Sequence, residues 1–300
     1  MKRDVTFDRD GLTLVGALFV PEDFDEAGRY GALVVQGSLT SVKEMMASTY
    51  AQKFADEGFV ALAFDYSHYG ASAGEPRQLE SPSEKLRDLQ GAVTYLTALP
   101  FVQAVGVVGI CTSAANAVCL AAVDERVQAF ATVAAMLPSP DLYSTMYGPE
   151  GVAQRRARAA ESRRRYEETG ETDFVPVYSE TDPDALNYRP AVGSYDYYLN
   201  PERGNVAEYR NEFALAGLAD LLDFDPLSQA GSITTPTIIV HSDGSAFPEQ
   251  SRRLYDGVQG EKELVWADGN HFDYYDSPAQ IDNAVASVSR FLRAHLEGTP

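Results

Sequence analysis

The chain has 300 residues, of which 45% are hydrophobic, so it is long enough for one α/β domain carrying an insertion. Its 44 acidic residues against 24 basic ones give a net charge of −20, which argues against nucleic acid or an anionic membrane as partner. The sequence shows no signal-peptide pattern and no apolar run of about 18 residues, so we expect a cytoplasmic protein that does not enter the membrane.

Eight short strands are predicted, the first two joined by a hairpin turn at Arg9-Asp10-Gly11. Most of the later runs are continuously apolar, which is typical of parallel strands buried on both faces. The predicted strands are Val5–Asp8, Leu12–Phe19, Ala32–Val35, Val60–Phe64, Val105–Ile110, Ala129–Val133, Thr237–Val240 and Glu263–Trp266.

Helix starts are visible between these strands. Ser41-Val-Lys-Glu44 and Ser81-Pro-Ser-Glu84 have the capping-box pattern, and Ser277-Pro opens a last helix that runs to about His295. Strands that alternate with helices after an N-terminal hairpin predict an α/β fold with a mostly parallel, eight-stranded sheet.

The alternation is interrupted over residues 137–224, where no convincing strand is visible. A segment of this length between two core strands predicts an inserted helical lid. We therefore divide the chain into an α/β core of residues 1–136 and 225–300 and a lid insertion of residues 137–224.

The insertion begins with an arginine-rich helix at residues 151–170, followed by a stretch rich in tyrosine and proline. One interpretation of the arginines is a solvated lid face paired with Glu161, Glu167 and Glu168. The other is a surface that docks an acidic carrier protein or the phosphates of coenzyme A.

The two cysteines, Cys111 and Cys119, lie eight positions apart in one apolar stretch. On a helix this spacing separates them by about 12 Å, which is too far for a disulfide. The sequence has neither a CxxC motif nor a Cys/His cluster. We therefore expect free thiols in a reducing compartment, and neither a metal nor another cofactor.

The strongest chemical signal surrounds Cys111, which stands between a β run and an alanine-rich helix. A nucleophile on a sharp strand-to-helix turn needs small residues two positions away on each side, and Gly109 and Ser113 meet this requirement. The helix N-terminus favours a thiolate, and the Thr112 N–H can face an oxyanion. We predict Cys111 as the nucleophile.

The base is predicted from its place after the last strand, where His271 is found. The orienting acid is expected after the preceding strand. Asp243 is the carboxylate in that turn, although the commonest spacing would place the acid near Ser245. Asp223 and Asp225, before the strand, are the alternatives.

The turn after the third strand is expected to supply the second oxyanion donor, and there we predict the Ser38 N–H, next to Gly37. His68 and Tyr69 follow the fourth strand in a turn of small and polar residues. Together with Gly37 they are candidates for the pocket lining.

Four stretches resemble one known group of proteins. They are Phe59-Val-Ala-Leu-Ala-Phe-Asp-Tyr66, Gly74-Glu-Pro-Arg-Gln-Leu-Glu80, Gly109-Ile-Cys-Thr-Ser113 and Gly269-Asn-His-Phe-Asp-Tyr-Tyr-Asp276. The group is the dienelactone-hydrolase-like α/β hydrolases, and especially the branch that includes fungal polyketide transferases. The resemblance implies the α/β-hydrolase fold and a Cys-His-Asp triad that acts on lactones, esters or carrier-bound thioesters.

Carried over to this chain, Cys111 and His271 match the group by motif, whereas Asp243 matches only by location. Dienelactone hydrolases have an acidic residue after the third strand, where this chain has Gly37, and they lack so long a lid. Both departures count against dienelactone itself as the substrate.

The sequence thus predicts an acyl hydrolase or acyltransferase that works through an acyl-Cys111 intermediate. Its expected partner is a small-molecule acyl substrate, either free or bound to an acyl carrier or coenzyme A. Two alternatives stay open: a lyase or cyclase in which His271 moves protons, and a non-catalytic binding protein on the same fold. The substrate, the acceptor and the oligomeric state, with a homodimer as one option, are also left open.

Overall fold

The computed structural model describes residues 1–296, so the last four residues of the predicted core segment lie outside the described residues. Its strands are β1 (Lys2–Arg9), β2 (Leu12–Phe19), β3 (Tyr30–Gln36), β4 (Val60–Phe64), β5 (Val102–Ile110), β6 (Val127–Val133), β7 (Phe174–Val175), β8 (Tyr178–Ser179), β9 (Asn187–Tyr188), β10 (Phe213–Ala214), β11 (Thr237–His241) and β12 (Lys262–Trp266). Its α-helices are α1 (Met46–Asp56), α2 (Pro82–Thr97), α3 (Ser113–Val123), α4 (Pro140–Thr169), α5 (Asp196–Leu199), α6 (Leu218–Asp223), α7 (Pro248–Gly257), α8 (Asp273–Asp276) and α9 (Pro278–Leu296), with 3₁₀ helices at Leu215–Gly217 and Pro226–Ser232.

The main sheet has eight strands in the spatial order β1-β2-β4-β3-β5-β6-β11-β12, counted over the described residues. Strand β2 pairs antiparallel with both β1 and β4, and the pairs from β4 through β12 are parallel. All eight predicted core strands are therefore confirmed, and so is the mostly parallel sheet. The four strands that the sequence did not predict, β7 to β10, are two residues long and lie between β6 and β11.

The chain order places a crevice at the carboxyl end of the central strand β3. From β3 the chain moves to β4 on one side and then to β5 on the other, so the connections after β3 and β5 leave in opposite directions. In the register, Gln36 at the end of β3 lies beside Gly109 near the end of β5. The turns predicted to carry the site therefore meet at one edge of the sheet.

Two of the three predicted helix starts are confirmed. The Ser81 side chain accepts a hydrogen bond from the Glu84 N–H at the start of α2, and α9 begins directly after Ser277. The capping box predicted at Ser41 is wrong, because α1 begins at Met46. The Ser41 hydroxyl instead donates to the Ser38 carbonyl oxygen in the turn before the helix.

The chain between β6 and β11 forms an inserted segment that contains α4, α5 and α6. The arginine-rich helix predicted within it is confirmed as the second part of α4. The helix is broken at Gly148, whose φ is 67°, and Pro149 follows the break. Because proline lacks an N–H and glycine tolerates a positive φ, this pair ends one helix and starts the next.

Four of the arginines after the break form ion pairs with carboxylates elsewhere in the inserted segment. The pairs are Arg156–Asp223, Arg158–Asp184, Arg163–Asp220 and Arg165–Glu171. The predicted partners Glu161, Glu167 and Glu168 are absent from these pairs, so that part of the interpretation is wrong. In the part of the chain that the structure describes, no helix is both long and apolar enough to cross a membrane.

A buried ion pair connects the N-terminal hairpin to α2. Arg9, the last residue of β1, donates through Nε to Asp88 at 2.7 Å and through Nη2 to Glu84 at 2.7 Å. The side chains of Arg9 and Asp88 are 4% and 0% exposed. Asp88 also accepts hydrogen bonds from the Ser67 N–H and hydroxyl, which fixes the turn after β4.

We expect Arg9→Met to lower the free energy of unfolding by about 3–5 kcal/mol, because Asp88 would be left buried without its cation. Denaturant unfolding followed by circular dichroism measures this change. Arg87→Met is the matched control, since Arg87 pairs with Asp10 at the protein surface, and it should unfold like the wild type. Equal stability of all three proteins would contradict a structural role for the buried pair.

Candidate active site

Cys111 occupies the sharp turn between β5 and α3, with a φ of 56°. A positive φ is strained for a residue with a side chain. The turn also needs a glycine two residues earlier, because a Cβ on Gly109 would lie 2.4 Å from the Ser113 carbonyl oxygen. The local geometry is thus that of a nucleophile elbow.

Hydrogen bonds on both sides of Cys111 hold its strained backbone in place. The Cys111 N–H donates to the Val133 carbonyl oxygen at 3.0 Å. The Cys111 carbonyl oxygen accepts from the Ala114 N–H at 3.1 Å and from the Met136 N–H at 3.0 Å. The neighbouring strand and the following helix therefore determine the direction of the thiol.

The structure brings Cys111 and His271 together. Nε2 of His271 lies 3.4 Å from Sγ of Cys111, although 160 positions separate the two residues in sequence. The Tyr275 hydroxyl lies 2.8 Å from the same Nε2 and also hydrogen-bonds the Cys111 side chain. Tyr275 follows His271 by four residues, which places both side chains on one side of the turn around α8.

The other ring nitrogen of His271 contacts backbone rather than a carboxylate. Nδ1 accepts a hydrogen bond from the Ala246 N–H at 3.3 Å. Gly244 allows the two loops to approach this closely, because a Cβ there would lie 2.4 Å from the Gly269 carbonyl oxygen. An acceptor Nδ1 assigns the proton of the neutral ring to Nε2, where it faces Tyr275 and Cys111.

The predicted acid does not reach His271. The Asp243 side chain is 80% exposed and forms an ion pair with Arg252 at 3.3 Å. The fallback residues are also elsewhere, since Asp223 pairs with Arg156 and Asp225 caps a 3₁₀ helix. The predicted three-residue arrangement is therefore reduced to a Cys–His pair in the described chain, because the Ala246 backbone takes the place of the acid.

Ser245 stands where the commonest spacing would have put the acid. It is buried, lies on the cavity wall, and its hydroxyl is 2.9 Å from the Ser242 hydroxyl. Ser242 in turn donates to the Gly269 carbonyl oxygen at 2.7 Å. These serines link the loop after β11 to the loop that carries His271.

Against the larger effect of burial, two backbone N–H groups lower the pKa of the Cys111 thiol, those of Thr112 and Leu39. Thr112 is a donor predicted from the sequence, whereas on the other side Leu39, rather than the predicted Ser38, acts on the thiol. Ser38 is buried, and its carbonyl oxygen accepts from the N–H and hydroxyl of Ser41, which turns the next peptide N–H toward Cys111. Two convergent N–H groups form an arrangement that can stabilise an oxyanion beside the nucleophile.

Burial keeps both members of the pair uncharged. Desolvation raises the pKa of the Cys111 thiol, against the opposite effect of the hydrogen bonds from Tyr275, Thr112 and Leu39. Desolvation lowers the pKa of His271 to about 3, and the nearby His241 contributes in the same direction. The ground state is therefore a thiol beside a neutral imidazole rather than an ion pair.

Cys111, His271 and Tyr275 lie at the wall of a cavity of about 580 Å³. The loops after the sheet strands form one side of the cavity, and the inserted segment provides the rest through its tyrosines and aliphatic residues. Among residues 1–296, no group of three or more His, Cys, Asp or Glu side chains is arranged to hold a metal ion.

The three residues predicted for the pocket lie outside the cavity lining. Nδ1 of His68 is 2.9 Å from the Pro76 carbonyl oxygen, and the Tyr69 hydroxyl donates to Glu80 at 2.9 Å, so both side chains are used to hold the Gly74–Glu80 turn. A Cβ on Gly37 would lie 2.7 Å from Sδ of Met46 and from Oγ of Ser41, so this glycine allows a close approach of the chain there. The pocket predictions for His68, Tyr69 and Gly37 are therefore wrong.

Comparison with known proteins agrees with this geometry. The model of the "Alpha/beta hydrolase family" matches residues 33–284, which is most of the chain. The chain belongs to the alpha/beta hydrolase family. This membership confirms the predicted fold and the prediction that this alpha/beta hydrolase is an enzyme.

Both solved structures and curated relatives cover nearly the whole hydrolase. The crystal structure of PA2218 from Pseudomonas aeruginosa has a TM-score of 0.86 at 28% identity and covers 99% of this chain and 94% of that one. The polyketide transferase claH of Penicillium crustosum is 27% identical over 88% of each chain. The thiohydrolase aneE of Aspergillus aculeatus is 26% identical over 96% of this chain and 92% of its own. These names confirm the resemblance stated from the sequence.

The neutral thiol–imidazole pair predicts a steep pH dependence of alkylation. In a Cys119→Ala background, the rate of Cys111 modification by iodoacetamide should rise about tenfold per pH unit from pH 7 to 9, because only the thiolate reacts and the pKa of Cys111 is raised. Mass spectrometry of the modified peptide measures the rate.

His271→Gln is the control, and it should show nearly the same pH profile because the neutral ring adds no positive charge. A rate that stays constant from pH 6 to 9 in the parent and falls in His271→Gln would instead reveal a thiolate–imidazolium pair.

Proposed function

We propose that this enzyme transfers or hydrolyses the acyl group of an ester, lactone or thioester through an acyl-Cys111 intermediate. The observation that carries the proposal is the 3.4 Å approach of His271 Nε2 to the Cys111 sulfur, at an elbow where two N–H groups converge. A nucleophile, a proton acceptor and oxyanion donors at the wall of one cavity are the groups that acyl transfer requires.

In the proposed reaction, the Cys111 thiol gives its proton to His271 Nε2 as the sulfur attacks the acyl carbon. The Leu39 and Thr112 N–H groups stabilise the oxygen that becomes negative. The tetrahedral species collapses as His271 returns the proton to the leaving group. Water or an acceptor alcohol or amine, deprotonated by the same ring, then attacks the thioester and releases Cys111.

The hydrogen bond from Ala246 limits how reactive this pair is. Nε2 accepts the thiol proton only when the ring carries its own proton on Nδ1, and that tautomer leaves the Ala246 N–H without an acceptor. An unpaired buried donor costs about 1–3 kcal/mol. We therefore propose that the enzyme acts on activated acyl donors, thioesters above all, rather than on amides.

This preference agrees with the relatives named a polyketide transferase and a thiohydrolase. The acyl donor in our proposal is a small molecule, either free or linked to an acyl carrier or coenzyme A. We propose a cytoplasmic location, since a reducing compartment keeps Cys111 as a thiol.

Intact-protein mass spectrometry with a panel of acyl thioesters and p-nitrophenyl esters tests the covalent step. We expect a mass gain equal to the acyl group in the wild type and in the matched control Cys119→Ala, and no gain in Cys111→Ala. An adduct that persists in Cys111→Ala would contradict the assignment of the nucleophile.

Tyr275 is proposed to position the pair, because its hydroxyl contacts both Nε2 and the sulfur. Tyr275→Phe should lower kcat about tenfold with little change in KM, which corresponds to the loss of one hydrogen bond of roughly 1–1.5 kcal/mol in the transition state. The alkylation pH profile should also shift upward, since this hydroxyl lowers the pKa of Cys111.

Tyr274→Phe is the control for this variant. Its hydroxyl donates to the Asp268 carbonyl oxygen at 3.3 Å, away from the cavity lining, so steady-state kinetics should match the wild type. Unchanged or increased kcat in Tyr275→Phe would show that the hydroxyl is not needed or competes with the thiol for Nε2.

A second function is favoured by one observation, the absence of a carboxylate on His271 in the described chain. In a lyase or cyclase of this fold, His271 would move protons within the substrate and Cys111 would only shape the cavity. Cys111→Ala and Cys111→Ser separate the two functions. Retained turnover of a cyclising or eliminating substrate supports the second, whereas loss of both turnover and the acyl adduct supports the first.

A further inference from the structure

The charged side chains on the cavity wall have a single sign. Among the described residues that line it, Arg155 and Arg189 carry charge, and neither aspartate nor glutamate is present. This contrasts with the composition of the chain, which has 44 acidic and 24 basic residues. The cavity is thus locally positive within a strongly negative protein.

Neither arginine forms an ion pair within the described residues. Arg155 lies on α4 among arginines that are paired with carboxylates, yet within the described chain no carboxylate oxygen lies within 4.0 Å of it or of Arg189. The Arg155 guanidinium instead lies 3.6 Å from the centre of the Tyr147 ring, and its Nη1 contacts the Gly151 carbonyl oxygen of its own helix at 3.3 Å. Most of its hydrogen-bonding capacity therefore remains available to a ligand.

A row of tyrosines leads from Cys111 to these arginines. Tyr178 and Tyr198 stack with ring centres 3.9 Å apart, and both line the same cavity as Cys111. Tyr195 comes next, 5.1 Å from Tyr178. Burial and Glu180 raise the pKa of Tyr195, and Arg189 lowers it. Arg155 lies on the ring of Tyr147, which also lines the cavity.

The solvent exposure of the residues increases from Cys111 along the row of tyrosines to the arginines, which shows which end of the cavity is the inner one. Cys111 and Tyr198 are buried, Arg155 is half-buried, and Arg189 is exposed. The reacting sulfur is therefore at the inner end of the cavity and the two guanidinium groups are at its outer end. Aromatic rings between them suit an apolar or unsaturated chain.

We propose that the substrate carries an oxyanion, a carboxylate or a phosphate, at the end remote from its reacting carbonyl, and that Arg155 binds it with support from Arg189. This inference rests on the proposed acyl transfer at Cys111. A guanidinium binds either oxyanion in a bidentate manner, and such a contact is strongest where the surroundings exclude water. Arg155 and Arg189 would then determine specificity without taking part in the chemistry.

Chain-length series of p-nitrophenyl donors test the carboxylate form of the proposal. One series consists of monoesters of α,ω-dicarboxylic acids, and the other has the same acyl chains with the free carboxylate capped as a methyl ester. We expect the wild type to favour the anionic donor through a lower KM at one range of lengths. Arg155→Met should reduce that preference at least about tenfold, as expected for a lost charge-assisted hydrogen bond.

Two further variants make this result specific. Arg155→Lys keeps the charge and should retain part of the preference. Arg158→Met removes an exposed arginine of the same helix that faces Asp184 and does not line the cavity, so it should leave the preference unchanged. Arg158→Met should turn over the methyl-capped donors as the wild type does.

The phosphate form is tested with one neutral acyl group attached to pantetheine or to 4′-phosphopantetheine. If the wild type prefers the phosphorylated donor and Arg155→Met loses this preference, the anion belongs to the thiol part of the substrate. If Arg155→Met instead abolishes the preference for the carboxylate donor over its methyl-capped form, the anion belongs to the acyl part. If Arg155→Met changes neither preference, the inference is wrong.

A binding measurement separates this inference from the proposed function. Isothermal titration of Cys111→Ala with an α,ω-dicarboxylic acid and with its dimethyl ester reports on the arginines without any turnover. Tighter binding of the diacid, lost when Arg155→Met is added, supports the anion site even if no donor is ever acylated onto Cys111. Equal binding of diacid and diester, together with equal binding of pantetheine and 4′-phosphopantetheine, would overturn it.

Discussion

The backbone of Cys111 is the constraint on which the rest of the site depends. A φ of 56° at a residue with a side chain persists only because β6 and α3 supply hydrogen bonds on both sides of it. That conformation lifts the thiol out of the sheet, directs the Thr112 N–H toward the sulfur and requires a glycine at position 109.

Around this fixed point the protein controls charge by excluding water. The thiol and the imidazole are both neutral because neither has an ionic partner to offset its desolvation. The remaining polarity comes from backbone N–H groups, those of Leu39 and Thr112 at the sulfur and that of Ala246 at the ring. Backbone donors are held by the fold, so this environment needs little reorganisation when charge develops during a reaction.

The sequence was informative where a short-range steric rule applies, and less so where loops meet. The elbow could be predicted because small neighbours of Cys111 are a local requirement, and His271 because the order of strands leaves few alternatives. Asp243 could not be excluded as the acid, because the order of strands predicts which loop faces His271 but not which side chain of that loop points toward it. The oxyanion donor is the Leu39 N–H rather than the predicted Ser38 N–H because of the orientation of a single peptide, which the sequence does not determine. Tyr275 was visible only as a tyrosine four residues after the base, a spacing that does not by itself indicate a catalytic contact.

The break in α4 divides the cavity roof into two parts with different freedom. The part after the break is tied to its neighbours by the arginine ion pairs, whereas residues 140–147 before it reach the cavity with Tyr143, Met146 and Tyr147. Helical hydrogen bonding is interrupted at Gly148, so the shorter part can tilt without unwinding the longer one. A tilt of the shorter part would move Tyr143, Met146 and Tyr147 at the cavity wall, and it would have to separate the Tyr147 ring from the Arg155 guanidinium that lies on it.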